Sequence, residues 1–518
     1  MDRRSLRSRQ GPAALMVLGA LACVSFSARA ETAAALRADA PTVRSATGRY
    51  TGRVAAPGVL AFKGIRYAVA PVGERRWQPP QPVPASSRAA DASAFGAACL
   101  QPRPATGAPQ TAEDCLHLNV WTPGTGQRRP VMVWIHGGGF RTGSGNIDGE
   151  ALASQGVVVV SMNYRLGPLG FMAHPALGNE VANFGLLDMV AALRWVRENI
   201  SAFGGDPRNV TIFGASAGGQ AVNLLMVSPA AAGLFHKAIA MSGYAAWALP
   251  RASLAPLPAP KGADRGPAPS AEAIGEAIVA RVGVGAQTAA TLRRLDGQAL
   301  VDAVSGFMLP IVDGRSLPEE PGILFMQGRQ AAVPFMSGGN SFEGSVMPDS
   351  GVTPAMFRGI LGDDLPDLRA AYADDFKVGE DLGIARIFGD YRYLLSARVL
   401  AGAMAKVGRP AWLYYVALTP AQRPAAWPGT PHAYDAALLF GDAPSANASA
   451  RALGARLRER WIAFARHGSP QVDGRPAWPA SPSGAGEWMV FADGDEAQAA
   501  VIGQRLDLLE RNYRRRLP

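Results

Sequence analysis

The sequence predicts an α/β protein: a large, mostly parallel sheet flanked by helices, with long loops lining a pocket. Three observations carry the prediction. Continuous apolar runs of strand length recur at 131–135, 157–161 and 412–416, as expected of parallel strands covered on both faces. Between such runs the periodicity changes to helical, with Leu186, Met189, Leu193, Val196 and Ile200 stepping by three and four along one face. The β-branched and aromatic run Val210 to Phe213 stops at Gly214, and a helical apolar pattern (Ala221, Leu224, Leu225) resumes a few residues later. Alternation of this kind indicates a parallel sheet with crossover helices.

Taken in order, the chain opens with Arg3, Arg4, Arg7 and Arg9, an apolar stretch over 12–26, and Ala28-Arg29-Ala30 before Glu31. This reads as a cleaved signal peptide over 1–30, too short to serve as a comfortable membrane span. Weaker alternatives are a twin-arginine signal at Arg3-Arg4 and a lipidation-like sequence ending at Cys23. The expected mature chain, 31–518, is one domain, exported to the periplasm or secreted, with no stable membrane anchor. Removing 1–30 takes away five arginines and one aspartate, which leaves +6 of the formal +10. That excess implies no nucleic acid; it disfavours cationic substrates and slightly favours anionic ones. Cys99 and Cys115 then remain, and in an exported chain they suggest one disulfide, the alternative being two unpaired buried thiols.

Residues 62–80 read as short strands and Pro-bearing turns, and 113–121 as a half-buried strand containing a structural His117. The run 131–135 ends in His136-Gly137-Gly138-Gly139-Phe140, a glycine loop free to turn backbone N–H groups toward an oxyanion. A short strand is expected at 238–242, a Pro- and Ala-rich surface excursion over 248–270, and strand material at 310–314 and 332–337. A C-terminal helix with Leu457, Trp461, Ile462 and Phe464 precedes a loop-rich tail.

The chemistry is carried by Gly214-Ala215-Ser216-Ala217-Gly218, a G-x-S-x-G sequence between a strand and a helix, the context of a nucleophile elbow. Serine needs a base, and a carboxylate to orient that base. Six histidines are available. On α/β-hydrolase scaffolds the chain order is serine, acid, histidine, which removes His117, His136 and His174. His236 follows the elbow too closely to leave room for an acid-bearing strand, and His467 reads as a helix C-terminal residue. His432, in a loop after the 412–416 strand, remains. For the acid, Glu343 is the best candidate because it follows the 332–337 run; Asp313 and Asp349 are rivals, Asp313 reading more simply as a turn residue. No cofactor is required, and no Cys/His cluster has zinc spacing.

With these residues assembled, the chain resembles the type-B carboxylesterases, the cholinesterase-like branch of the α/β-hydrolase superfamily, from about Phe62 to Met489. The resemblance implies an α/β-hydrolase fold and a triad of Ser216, Glu343 and His432. It also implies an oxyanion hole from the N–H groups of Gly138, Gly139 and Ala217, a Cys99–Cys115 disulfide, and hydrolysis of small-molecule carboxylic esters through an acyl-enzyme. Ala215 departs from the cholinesterase pattern, which has glutamate there; Met189 and Arg66 also depart from common choices. Rival activities are hydrolysis of amides, carbamates or lactones, or binding without catalysis. Trp247, Phe307, Met308 and Phe342 are candidate pocket walls; oligomeric state is not legible.

Overall fold

A computed structural model of the chain describes residues 40–103, 110–178, 181–253, 255, 269–283, 288–420, 424, 427–441, 447–481 and 486–517. The signal peptide expected over 1–30 and most of the Pro-rich excursion over 248–270 lie outside them. Among the described residues, no helix is long and apolar enough to cross a membrane.

Among the described residues, eleven strands form one sheet. Their spatial order is Arg53–Ala56 beside Val59–Arg66, then His117–Thr122, Val158–Met162, Arg129–Ile135, Gly205–Ala215, Lys237–Met241, Phe335–Asn340, Ala411–Val416, Trp488–Phe491 and Asp495–Gln498. From Val158–Met162 to Trp488–Phe491 every pairing is parallel, and the strands outside that block pair antiparallel. A second, three-stranded sheet (Thr42–Arg44, Arg49–Thr51, Ala89–Asp91) lies outside the main one.

The apolar runs are continuous because each central strand feeds two cores. Val131, Val133 and Ile135 point into one, Met132 and Trp134 into the other. Val158, Val160 and Met162 likewise oppose Val159, and Ile212 opposes Phe213, as a period of two demands. The second core is aromatic: Trp134 lies against Phe213 (5.0 Å) and Phe440 (4.8 Å), and Trp461 of the Ala448–His467 helix against Tyr414 (5.0 Å). Each such side chain taken out of water contributes about 2–3 kcal/mol.

Several expectations are corrected. The 113–121 segment is a strand only from His117 to Thr122, and it is covered on both faces: Leu118 and Val120 enter one core, Trp121 the other. Residues 310–314 form no strand beyond a single bridge of Val312 to Arg251. Their backbone is instead tied by a side chain, since Asn183 accepts from Ile311 N–H (2.8 Å) and donates to the Ile311 carbonyl (2.6 Å). The tail after the Ala448–His467 helix is not all loop; it supplies two strands at the sheet edge and the helix Gly503–Arg515. Cys99 and Cys115, both buried, are joined by a disulfide with Cα atoms 4.9 Å apart.

The consequence for function is positional. In a parallel block the C-terminal strand ends share one edge, and there the chain leaves Ile135, Ala215, Met241, Asn340 and Val416 for irregular connections.

Candidate active site

Ser216 stands between the Gly205–Ala215 strand and the Ala217–Val227 helix with φ 59° and ψ −122°. For a residue with a Cβ this conformation is strained by about 1–3 kcal/mol, and it is held from both sides. The Ser216 N–H donates to the Met241 carbonyl (2.9 Å) and its carbonyl accepts from Gln220 N–H (2.8 Å). The turn is tight because strand and helix nearly touch: a Cβ on Gly214 would fall 2.6 Å from the Gly218 carbonyl, and one on Gly218 would fall 2.0 Å from the Ile135 carbonyl oxygen of the neighbouring strand.

Ser216 and His432 line one cleft of about 540 Å³, together with the 136–139 loop, Ala215, Phe307, Val346 and Asp349. His432 Nδ1 is hydrogen-bonded to Glu343 Oε2, and the backbone N–H of His432 donates to Ser345 Oγ (2.9 Å). The tautomer that donates Nδ1–H to a carboxylate leaves a lone pair on Nε2, which is buried and has no partner among the described residues. The Tyr393 ring packs on the imidazole at 4.6 Å.

Glu343 opens the 3₁₀ stretch Glu343–Ser350 after the Phe335–Asn340 strand, and its side chain is fully buried. Burial pushes its carboxyl up. The neighbouring imidazole and the hydrogen bonds from His432, Ser242 and the Asn340 backbone outweigh burial and hold it below the usual carboxylate range. Oε1 accepts from Ser242 Oγ (2.6 Å), Asn340 N–H (2.5 Å) and Asn340 Nδ2 (3.1 Å). Asn340 Nδ2 also donates to Asp435 (3.0 Å), a second buried acid that accepts from the Tyr414 hydroxyl (2.7 Å). Burial, followed by the nearby Glu343 charge, raises the Asp435 carboxyl.

Sequence reasoning missed Ser242, Asn340 and Asp435. The signal for Ser242 and Asn340 was their place at the C-terminal ends of parallel strands, the edge that carries the reactive groups. Of the rival acids, Asp349 lines the same cleft, but the imidazole's Nδ1 is bonded to Glu343, while Asp313 closes a structural network with Ser316 Oγ (2.5 Å), Ala182 N–H (3.1 Å) and Leu317 N–H (3.0 Å).

Facing Ser216, the loop after Ile135 has positive φ at Gly138 (98°), Gly139 (63°) and Phe140 (54°). Side chains rarely adopt the Gly138 conformation, and a Cβ there would fall 2.3 Å from the Thr142 carbonyl oxygen. Arg141 and Thr142 N–H donate to the Gly138 carbonyl (3.0 and 2.9 Å), and Met308 N–H to the Gly139 carbonyl (2.9 Å). With the carbonyls so engaged, none of the N–H groups of Gly138, Gly139 and Ala217 donates to a described residue. His136 stacks on Tyr164 (4.3 Å), and burial pushes its imidazole down to about 4, so it is neutral beside the cleft at neutral pH.

Of the expected pocket walls, Phe307 lines the cleft, while Met308 is buried beneath the glycine loop. Trp247 packs against Phe388 (5.8 Å), and Phe342 faces Trp427 (6.1 Å). Arg66 pairs with Asp114 and Met189 is core.

A family model described as the carboxylesterase family matches residues 39–358 and 366–506. The chain belongs to the carboxylesterase family. It is 36% identical over 462 residues to a para-nitrobenzyl esterase of Bacillus subtilis (strain 168), covering 82% of this chain and 89% of that one. It is 35% identical over 462 residues to a fumonisin B1 esterase of Sphingopyxis macrogoltabida, covering 81% of each. Among solved structures, a PNB esterase superposes with a TM-score of 0.77 at 32% identity, covering 90% of this chain and 99% of that one. The fold is therefore that of the α/β-hydrolase carboxylesterases, and the activity of this family member is hydrolysis of carboxylic esters.

Proposed function

We propose that this carboxylesterase works by two-step acyl transfer with Ser216 as nucleophile, His432 as general base and then acid, and Glu343 as the carboxylate that orients it. The Ser216 hydroxyl attacks the ester carbonyl while Nε2 of His432 takes its proton. The buried Glu343 carboxylate stabilises the imidazolium formed, and the N–H groups of Gly138, Gly139 and Ala217 receive the oxyanion. The imidazolium protonates the departing alcohol; water then attacks the acyl-enzyme by the same route. The observation that carries the reading is the His432–Glu343 hydrogen bond in the cleft where Ser216 is held in its strained turn. Ser216→Ala is expected to abolish turnover of a chromogenic ester while leaving thermal unfolding unchanged; retained hydrolysis overturns the assignment.

At the position before the nucleophile, Ala215 presents a methyl group to the cleft, which supports neutral or anionic esters over choline esters. The sequence of 1–30 and the Cys99–Cys115 disulfide support export as one catalytic domain over 31–518.

A further inference from the structure

One cation lining the Ser216 cleft has neither a partner nor a part in acyl transfer. Besides His136 and His432, the ionisable groups lining that cleft are Arg141 and Asp349. Asp349 is exposed, whereas Arg141 is half-buried. The Arg141 guanidinium makes no ion pair, ring contact or hydrogen bond with a described residue, and its Nε is buried without a partner. Arginines elsewhere in the fold show what such a group takes. Arg165 grips Asp188 through Nε (2.8 Å) and Nη2 (2.7 Å), Arg251 meets Glu319 (2.7 Å) and Arg456 meets Asp495 (2.7 Å). A guanidinium does not shed its proton, so a donor taken out of water without an acceptor is a standing cost to the empty cleft.

The backbone that carries this side chain is pinned. Arg141 N–H donates to the Gly138 carbonyl (3.0 Å), which roots the residue on the glycine loop facing Ser216. Two residues on, Gly143 donates its N–H to Gln101 Oε1 (2.9 Å) and accepts from Gln101 Nε2 (3.0 Å), and Gly145 N–H donates to Asn163 Oδ1 (2.7 Å). Ser144, between the two pinned glycines, also lines the cleft; its Oγ accepts from Asn146 N–H (3.2 Å) and gives its own proton to no described residue. From His136 to Ile147 the loop contains no acid. It therefore offers the cleft a cationic donor and a hydroxyl donor at fixed backbone positions, with no carboxylate of its own to satisfy them.

The cleft has room for more than the ester bond, since about 540 Å³ is the size of pocket that encloses a whole small-molecule ligand. We propose that Arg141, with the Ser144 hydroxyl, forms a carboxylate-binding subsite of this cleft and so determines specificity, favouring esters that bear a second, ionised carboxylate. The inference rests on the esterase reading of the cleft and deepens it. A planar carboxylate meets a guanidinium edge bidentately, and the net positive charge of the chain favours its approach. Asp349 opposes that attraction, but no ion pair joins it to Arg141 and its exposure leaves its charge screened by water and salt.

The test measures kcat/KM by pH-stat at low ionic strength for three esters, with the spontaneous rate subtracted. Phenyl hexanoate is neutral, monophenyl adipate carries the carboxylate in the acyl half, and 4-carboxyphenyl hexanoate carries it in the alcohol half. Arg141→Gln should lower the ratio of carboxylated to neutral ester by about tenfold or more for at least one of the two, the lower end of what a hydrogen bond to a charged group supplies. Arg141→Lys should keep part of the ratio, Arg141→Glu should depress it further, and Asp349→Asn should raise it. Free adipate should inhibit the unmodified enzyme at least tenfold more tightly than adipamide, a comparison that decides the matter even where the variants fail to fold. Ratios unmoved by Arg141→Gln, or equal inhibition by the acid and its amide, overturn this inference alone. Failure to hydrolyse any of the esters overturns the esterase reading with it.

Discussion

Removing the Ser242 hydroxyl tests whether the acid of the triad is held by more than its histidine. Ser242 is fully buried, and its Oγ lies 2.6 Å from Glu343 Oε1. Three donors converge on that oxygen, two of them from Asn340, so Ser242→Ala removes one of three and leaves the carboxylate ionised but less stabilised. A hydrogen bond to a charged group is worth about 1.5–3 kcal/mol, or roughly 10- to 150-fold if all of it is expressed at the transition state. Part of the loss will fall on folding stability, so we expect kcat/KM to drop about 10- to 50-fold with KM nearly unchanged. Loss of a donor raises the Glu343 carboxyl, so fewer molecules hold it ionised as pH falls. The deficit relative to the unmodified enzyme should therefore widen from pH 8 to pH 5.5. Steady-state kinetics of a chromogenic ester across that range, with urea unfolding as the stability control, measures both effects. A change of less than threefold, or a deficit independent of pH, refutes the reasoning.

Further outcomes follow from the same geometry. Gly138→Ala places a methyl group 2.3 Å from the Thr142 carbonyl oxygen at a φ of 98°; displacing that N–H should lower kcat about 10²- to 10³-fold, measured by single-turnover kinetics. Burial raises Glu320 to about 7 from a usual value of 4.5, so the unfolded chain ionises first and stability falls as pH rises from about 4.5 to 7. Glu320→Gln, which keeps an acceptor for Leu249 N–H (3.1 Å), should remove that fall, on the order of 3 kcal/mol, as read by thermal melts at pH 5 and pH 8. Cys99→Ser should cost about 3 kcal/mol for a loop with a sequence separation of 16, and reduction with dithiothreitol should lower the melting temperature of the unmodified chain but not of the variant.

The sequence disclosed the parallel centre of the sheet because each of its strands is apolar toward two cores; Val131 to Ile135 advertises itself without any partner. The elbow was legible for a related reason, since the close approach of strand and helix admits only small residues around Ser216. His432 emerged because so few histidines lie downstream of the serine. Ser242 and Asn340 did not emerge, as a serine and an asparagine at strand ends look like ordinary turn residues until folding brings them to Glu343 across separations of 101 and 3. The helical region after Pro354 was obscured by its own geometry: the π-turn Asp390–Leu394 sits between the helices Glu380–Gly389 and Leu395–Ala403 and shifts the phase of the apolar pattern. Residues 310–314 misled because their β-like composition is satisfied by the Asn183 side chain rather than by a neighbouring strand.

The central claim is that Ser216 becomes nucleophilic through His432. Labelling with a fluorophosphonate, followed by tryptic mass spectrometry, addresses it directly. The account predicts a single adduct on the peptide carrying Ser216, and a labelling rate at least 100-fold lower in His432→Ala. An adduct on another residue, or undiminished labelling without the imidazole, would contradict it.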